Sequence, residues 1–130
     1  MNLFQYNPFV SAAGIYLDWK IECDALTKED WESIARISYK SIPSFKFALG
    51  VPEGGIFLAY AIDHYANRDA EKILIVDDVW TTGSSMQKYA ANLNLDNWIG
   101  FVAFSRGKLP DNVYCFLQFA LKDSNELLKQ

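Results

Sequence analysis

Residues 73–86, which read ILIVDDVWTTGSSM, constrain the fold of this chain more than any other segment. The apolar run within residues 72–76 is typical of a strand that is buried on both faces. Asp77 and Asp78 follow at the end of this strand, and a hydroxyl-rich turn then leads into a helix predicted from about residue 84 to about residue 95. Strand and helix alternate in the same way through the central ninety residues, and this alternation predicts a parallel sheet with right-handed crossovers.

Further predicted strands and helices alternate around this unit. They are a strand over 14–23, a helix from the N-cap Thr27 to a point before Pro43, a strand over 45–50, a helix over 56–65 and a strand over 97–105. The helix over 56–65 is nearly all apolar, so we expect it to be covered on most sides. Residues 113–121 fit either a strand or a buried helix.

These elements predict the α/β class, with a compact parallel-sheet core that carries helices on both faces. We expect one domain over residues 1–130, with the core over 44–121 and a short N-terminal strand appendage, similar to a hood, over 1–26. The chain has 130 residues, of which 51% are hydrophobic, and this is enough for one sizeable core.

Charge and hydropathy exclude several partners and locations. A net charge of -4 argues against binding to nucleic acid or to an anionic membrane. No apolar run reaches the roughly 20 residues of a membrane span, and the N-terminus lacks the pattern of a signal peptide, so we expect a cytoplasmic protein. Cys23 and Cys115 have no further ligand-type residue at metal spacing, which favours buried free thiols over a disulfide or a zinc site.

Two loops with unusual chemistry follow strands at the carboxyl edge of the predicted sheet, where ligands of such sheets bind. The glycine loop, GVPEGG in residues 50–55, can turn backbone N–H groups toward an anion. Its candidate binding residues are Val51, Pro52, Glu53, Gly54 and Gly55. The hydroxyl loop lies at the start of a helix and is a candidate phosphate site. It consists of Thr81, Thr82, Gly83, Ser84 and Ser85.

The aspartate pair, Asp77 and Asp78, suits a different part of the same ligand. Carboxylates repel phosphate, but they accept hydrogen bonds from the two hydroxyls of a ribose or from a water bound to magnesium. The sequence therefore predicts a sugar phosphate as the ligand.

The segment ILIVDDVWTTGSSM resembles the phosphoribosyl pyrophosphate (PRPP) binding motif of the type I phosphoribosyltransferase family. LGVPEGG similarly resembles the pyrophosphate loop of that family, and FVSAAGIYLDWKIECD is loosely similar to the N-terminal signature of orotate phosphoribosyltransferases. The resemblance implies an enzyme that transfers the 5-phosphoribosyl group of PRPP to a nucleobase and releases pyrophosphate. It also implies a homodimer.

The same resemblance implies a role for each part of the site. The catalytic residues Asp77 and Asp78 would hold the ribose hydroxyls, the hydroxyl loop would bind the 5′-phosphate, and the glycine loop would bind the pyrophosphate. Mg²⁺, carried by PRPP, would bridge the pyrophosphate and the ribose. Arg106 and Lys20 are possible contacts to the base or to a phosphate.

Two departures from the family pattern leave a second interpretation open. Glu53 places a carboxylate in the pyrophosphate loop, and residues 56–72 have room for one helix and a turn but not for the usual flexible flap. The alternative is a catalytically weak or inactive module that binds PRPP or a nucleotide in a regulatory or scaffold role.

Overall fold

The computed structural model describes residues 3–5, 9–10, 16–17 and 20–119, and it describes side chains for residues 3 and 21–119. The N-terminal part contains four two-residue strands. They are β1 (Phe4–Gln5), β2 (Phe9–Val10), β3 (Tyr16–Leu17) and β4 (Lys20–Ile21). β1 pairs antiparallel with β4, and β2 pairs antiparallel with β3, so this appendage forms two small sheets apart from the core sheet.

The prediction of one continuous strand over 14–23 is wrong at its C-terminal end, because the chain leaves strand conformation after Ile21. A 3-10 helix occupies Cys23–Ala25, where the Glu22 side chain accepts a hydrogen bond from the N–H of Asp24. Residues 14–15 and 18–19 of the predicted strand lie outside the described residues.

Helix α1 (Lys28–Ser38) begins where the sequence predicts it. The Thr27 hydroxyl accepts a hydrogen bond from the N–H of Asp30 at 3.2 Å, and the Asp30 carboxylate accepts one from the N–H of Thr27 at 2.8 Å. This capping box satisfies two N–H groups that the first turn leaves without helical partners. The predicted inner face is buried, and it consists of Trp31, Ile34, Ala35 and Ser38.

The core is a four-stranded parallel sheet in the order β5-β6-β7-β8. Its strands are β5 (Ala48–Gly50), β6 (Ile73–Trp80), β7 (Trp98–Ser105) and β8 (Val113–Gln118). Helix α2 (Ile56–Asp63) connects β5 to β6, and helix α3 (Ser84–Asn92) connects β6 to β7. A loop without a helix connects β7 to β8. Residues 113–118 are thus a strand, which decides between the two predicted alternatives.

Side chains of the sheet are buried on both faces. Leu74 and Val76 of β6 pack in one apolar cluster with residues of α1 and α2, such as Ile34 and Leu58. Ile75, between them in the sequence, packs on the other face in a cluster with Met86 and Ala90 of α3. The structure confirms the predicted α/β class with helices on both faces.

β6 is longer than predicted, and this changes the setting of the aspartate pair. Pairing between β5 and β6 ends at Gly50 and Val76, but pairing between β6 and β7 continues to Trp80 and Ser105. Asp77 and Asp78 therefore lie within a strand, not after one. β5 does not pair with β6 beside Asp77 and Asp78, because β5 ends at Gly50. The aspartate pair therefore lies where the β5 side of β6 has no paired strand.

Helix α2 is also more exposed than predicted. It ends at Asp63, and the exposed fractions of Ile56, Phe57 and Tyr60 are 48%, 69% and 84%. The expectation that this helix is covered on most sides is wrong among the described residues. Within the same residues, no helix has the length and apolar character that a membrane span requires.

Candidate functional site

Each carboxylate of the aspartate pair accepts a hydrogen bond from the backbone N–H of the next residue. The Asp77 carboxylate accepts a hydrogen bond from the N–H of Asp78 at 2.8 Å, and the Asp78 carboxylate accepts one from the N–H of Val79 at 2.8 Å. Asp77 is buried and Asp78 is half-buried. These hydrogen bonds fix both carboxylates beside the point where β5 ends.

Burial has a strong effect on the protonation of this pair. Burial, together with the side-chain hydrogen bond to Asp78 and the negative charge of Asp78, raises the pKa of Asp77 to about 8. The bond from the Asp78 N–H acts in the opposite sense. Asp77 therefore retains a proton at neutral pH in the protein without a ligand. A hydroxyl donor or a cation placed beside it would favour the ionised form.

The hydroxyl loop lies directly against Asp77. A small cleft is lined by Asp77, by Trp80 and by all five residues of the hydroxyl loop. Gly83 has a φ of 82°, a left-handed conformation that favours glycine, and it precedes the first turn of α3. The Thr82 hydroxyl lies 3.3 Å from the Ser84 hydroxyl. Hydroxyls and the N-terminus of α3 thus face the same cleft, an arrangement that suits an anion.

The glycine loop lies against the other side of the aspartate pair. Val51 donates a backbone hydrogen bond to the carbonyl of Val76 at 2.8 Å, and Gly55 donates one to the carbonyl of Val51 at 2.9 Å. A Cβ on Gly55 would meet the Val76 carbonyl, and a Cβ on Gly54 would lie 2.5 Å from Oδ2 of Asp78. The two glycines therefore permit a close approach of this loop to β6. The peptide bond between Pro52 and Glu53 is cis.

Asp78 opens into a second cavity, of about 240 Å³. It is lined by Asp78, Glu53 and Gly54 from the predicted site, and also by Cys23, Asp24, Leu26, Trp31 and Phe57. Burial raises the pKa of the Cys23 thiol, and the charge of the Asp78 carboxylate and a hydrogen bond to it raise that pKa further. The sequence predicted no site role for these five additional residues. Cys23 and Asp24 are the last two residues of FVSAAGIYLDWKIECD, the segment that is similar to the N-terminal signature of orotate phosphoribosyltransferases. That similarity was the one sequence signal that pointed to them.

The architecture around this site matches solved structures. Orotate phosphoribosyltransferase from Aeropyrum pernix superposes with a TM-score of 0.64 at 20% sequence identity, over 81% of this chain and 76% of that chain. The Mycobacterium tuberculosis orotate phosphoribosyltransferase in complex with Fe(III) dicitrate gives a TM-score of 0.62 at 14% identity, over 88% and 89%. The Helicobacter pylori xanthine-guanine-hypoxanthine phosphoribosyltransferase gives 0.53 at 14% identity, over 74% and 86%.

The chain has the type I phosphoribosyltransferase fold. No protein-family model matches the sequence, and a search of curated proteins finds no match. At these identities the structural likeness establishes the fold alone. The fold predicted from ILIVDDVWTTGSSM and LGVPEGG is confirmed.

This phosphoribosyltransferase fold does not bring every predicted residue to the aspartate pair. The Arg106 side chain is buried, with 3% of the residue exposed, and burial lowers the pKa of its guanidinium. The backbone N–H of Arg106 donates to the carbonyl of Trp80 at 2.9 Å. Arg106 lines neither the cleft at Asp77 nor the cavity at Asp78. Lys20 lies in β4 and pairs with Gln5 of β1. The side chain of Lys20 is outside the described part of the structure.

Proposed function

We propose that this chain is a phosphoribosyltransferase that binds PRPP at the aspartate pair. Asp77 and Asp78 hold the ribose hydroxyls, the hydroxyl loop binds the 5′-phosphate, and the glycine loop binds the pyrophosphate. One observation carries the proposal: the aspartate pair adjoins both loops. Asp77 lines the cleft of the hydroxyl loop, and Asp78 lies against Gly54 of the glycine loop. PRPP carries its ribose between its 5′-phosphate and its pyrophosphate, in the same order.

The proposed reaction needs no nucleophile from the protein. The bond between the anomeric carbon and a pyrophosphate oxygen breaks, a bond from that carbon to a ring nitrogen of a nucleobase forms, and the proton of that nitrogen passes to solvent. Positive charge develops on the ribose as pyrophosphate leaves with the electron pair. Carboxylates beside the ribose stabilise that charge, and the two loops hold the reactants in position.

The residues present also fit a magnesium ion that arrives with PRPP. Asp78 and Glu53 line the same cavity beside the glycine loop. Magnesium in phosphate-binding sites is commonly held by one or two carboxylates together with phosphate oxygens and water. Among residues 21–119, no group of three or more His, Cys, Asp or Glu side chains is placed to hold a metal ion. Asp78 and Glu53 would hold the ion together with oxygens of PRPP, and the ion would supply positive charge beside the pyrophosphate.

Calorimetric titration tests binding first. PRPP is added to the protein with and without Mg²⁺, and ribose 5-phosphate, which lacks the pyrophosphate, is the control ligand. We expect magnesium-dependent binding of PRPP that is tighter than binding of ribose 5-phosphate. The double substitution Asp77→Asn with Asp78→Asn should abolish this binding while thermal unfolding stays cooperative. A double variant that unfolds cooperatively and still binds PRPP would overturn the ribose assignment.

Pyrophosphate release with a panel of nucleobases then tests transfer. An enzyme releases pyrophosphate with at least one base. Tight binding of PRPP without release for any base would instead favour the regulatory or scaffold module. The described chain between α2 and β6, residues 64–72, contains turns and no strand pair that could form a flap. Turnover would therefore need a cover for the site from another part of the chain or from another subunit.

A further inference from the structure

The cavity beside Asp78 extends beyond the residues that the proposed PRPP site uses. It includes Glu53 and Gly54 of the glycine loop, but its other walls come from the 3-10 helix, from Leu26, from α1 and from α2. The Cys23 thiol donates a hydrogen bond to the Asp78 carboxylate, which holds the 3-10 helix against the aspartate pair. The anomeric carbon of PRPP joins the ribose to the pyrophosphate, so in the proposed complex it lies beside this cavity. A nucleobase that attacks this carbon would occupy the cavity.

The walls outside the proposed PRPP site include three apolar side chains. Buried Trp31 and exposed Phe57 present aromatic surface to the cavity, and Leu26 adds aliphatic surface. The cavity volume of about 240 Å³ is somewhat below the roughly 300–1,000 Å³ that is usual for drug-sized ligands, so it suits a single ring system. Stacking on aromatic side chains tolerates every base, because each base has a π face. These walls therefore favour a nucleobase as a class without selecting one.

The charged side chains of the cavity all carry the same sign. Asp24, Glu53 and Asp78 line it, and no Lys, Arg or His among residues 21–119 does so. An ionised carboxylate accepts hydrogen bonds but donates none. Such a lining repels an anionic base and offers no donor to the carbonyl groups of a base. It favours a base that presents N–H donors.

Asp24 is the carboxylate of this cavity that the proposed PRPP complex does not use. Asp78 holds a ribose hydroxyl in that complex, and Asp78 and Glu53 would share the magnesium ion. Asp24 is exposed, and its backbone N–H donates to the Glu22 side chain at 3.5 Å. Within residues 21–119, no hydrogen bond or ion pair occupies the Asp24 carboxylate itself. Its charge therefore remains available to a ligand in the cavity.

We propose that the acceptor is a nucleobase with an exocyclic amino group, such as adenine, guanine or cytosine, and that Asp24 selects it by accepting an N–H hydrogen bond. A base that carries a carboxylate, such as orotate, is repelled by the same lining. This inference rests on the proposed function, because it assigns a substrate class to the same site. It makes Asp24 a specificity-determining residue.

Calorimetric titration of nucleoside 5′-monophosphates tests the acceptor class without turnover, because these ligands carry the base, the ribose and the 5′-phosphate together. Inosine 5′-monophosphate is the reference for the adenosine and guanosine nucleotides, and uridine 5′-monophosphate is the reference for the cytidine nucleotide. Each reference lacks the amino group of its partner. We expect at least one amino nucleotide to bind about tenfold more tightly than its reference, because hydrogen bonds to a charged group are the stronger ones. Orotidine 5′-monophosphate should bind no more tightly than ribose 5-phosphate, which has no base.

Asp24→Asn tests the role of this carboxylate, since it removes the charge and keeps the size of the side chain. We expect the preference for the amino nucleotide to fall several-fold and the affinity for orotidine 5′-monophosphate to rise. Asp69→Asn is the charge-matched control. Asp69 is exposed between α2 and β6, near the N-terminal end of β6 and away from the cavity, so this variant should keep the wild-type preference.

Three results would overturn this inference alone, provided that ribose 5-phosphate binds. They are equal affinities within every pair of nucleotides, orotidine 5′-monophosphate that binds as tightly as the amino nucleotides, and a preference that Asp24→Asn leaves unchanged. If neither PRPP nor ribose 5-phosphate binds, the proposed function fails and the acceptor class falls with it. The titration of ribose 5-phosphate thus separates the two failures.

Discussion

Gly54 and Asp78 meet at the junction of the glycine loop and β6, where the absent Cβ of Gly54 would lie 2.5 Å from Oδ2 of Asp78. The other carboxylate oxygen of Asp78 accepts the hydrogen bond from the N–H of Val79. A side chain at position 54 would therefore displace Asp78 or the loop. This contact couples the predicted pyrophosphate site to the predicted ribose site.

The first prediction concerns this contact directly. Gly54→Ala should lower the free energy of unfolding by about 1–2 kcal/mol, because the methyl group overpacks against Asp78 and disturbs its hydrogen bond. Denaturant titration measures this cost. In an Asp78→Ala background the same substitution should cost almost nothing, which the double-mutant cycle reveals. An equal cost in both backgrounds would contradict the coupling.

The second prediction follows from the raised pKa of Asp77. The folded protein keeps a proton on Asp77 up to about pH 8, whereas the unfolded chain releases it near the ordinary aspartate pKa of 3.8. The folded state thus binds more protons between these values, so the contribution of Asp77 to stability falls as the pH rises through this window. Asp77→Asn should be more stable than wild type at pH 8, by about 1 kcal/mol or more, and should flatten the pH profile.

Thermal melts from pH 5 to pH 8 check this prediction. Asp96→Asn serves as the control, because Asp96 is exposed just before the N-terminal end of β7, at the opposite edge of the sheet. The control should follow the wild-type profile. Parallel profiles for wild type and Asp77→Asn would show that Asp77 does not retain its proton. The same variant should lose PRPP binding, so that stability and binding change in opposite directions.

The third prediction concerns the carboxylate in the glycine loop. Glu53 is exposed and lines the cavity with Asp78, so it should repel pyrophosphate unless a cation lies between them. Glu53→Gln should strengthen PRPP binding without Mg²⁺ by several-fold and reduce the gain that Mg²⁺ gives. Calorimetry in buffers with and without Mg²⁺ measures both values. Glu71→Gln, at an exposed position before β6, is the charge-matched control. An unchanged magnesium dependence would remove Glu53 from the site.

The fourth prediction concerns the start of α3. Gly83→Ala forces alanine into a left-handed conformation and places its methyl group against the ring of Trp80. The strain should cost about 1–3 kcal/mol and distort the hydroxyl loop. Binding of ribose 5-phosphate should weaken, as measured by calorimetry, while the glycine loop stays intact. If Gly83→Ala has wild-type stability and wild-type binding, this turn does not require glycine at position 83.

The sequence by itself determined the elements whose causes are local. The capping box of Thr27 with Asp30 and the inner face of α1 follow from residues within a few positions of one another. The apolar run of β6, the hydroxyl loop and the start of α3 are contiguous, so their pattern was sufficient to predict the βα unit and the correct fold. The glycine loop was predicted for the same reason. The roles of these residues toward PRPP stay predictions.

Only the tertiary structure decided which distant residues share a surface. β6 extends through Asp77 and Asp78 because it pairs with β7, and pairing between strands far apart in the sequence has no local signal. Trp31 and Phe57 meet Asp78 in one cavity because α1 and α2 pack on the same face of the sheet. The exposure of Tyr60 likewise depends on what covers α2, and apolar composition alone predicted the opposite. Local patterns specify elements, whereas the packing of those elements specifies the site and the free surface.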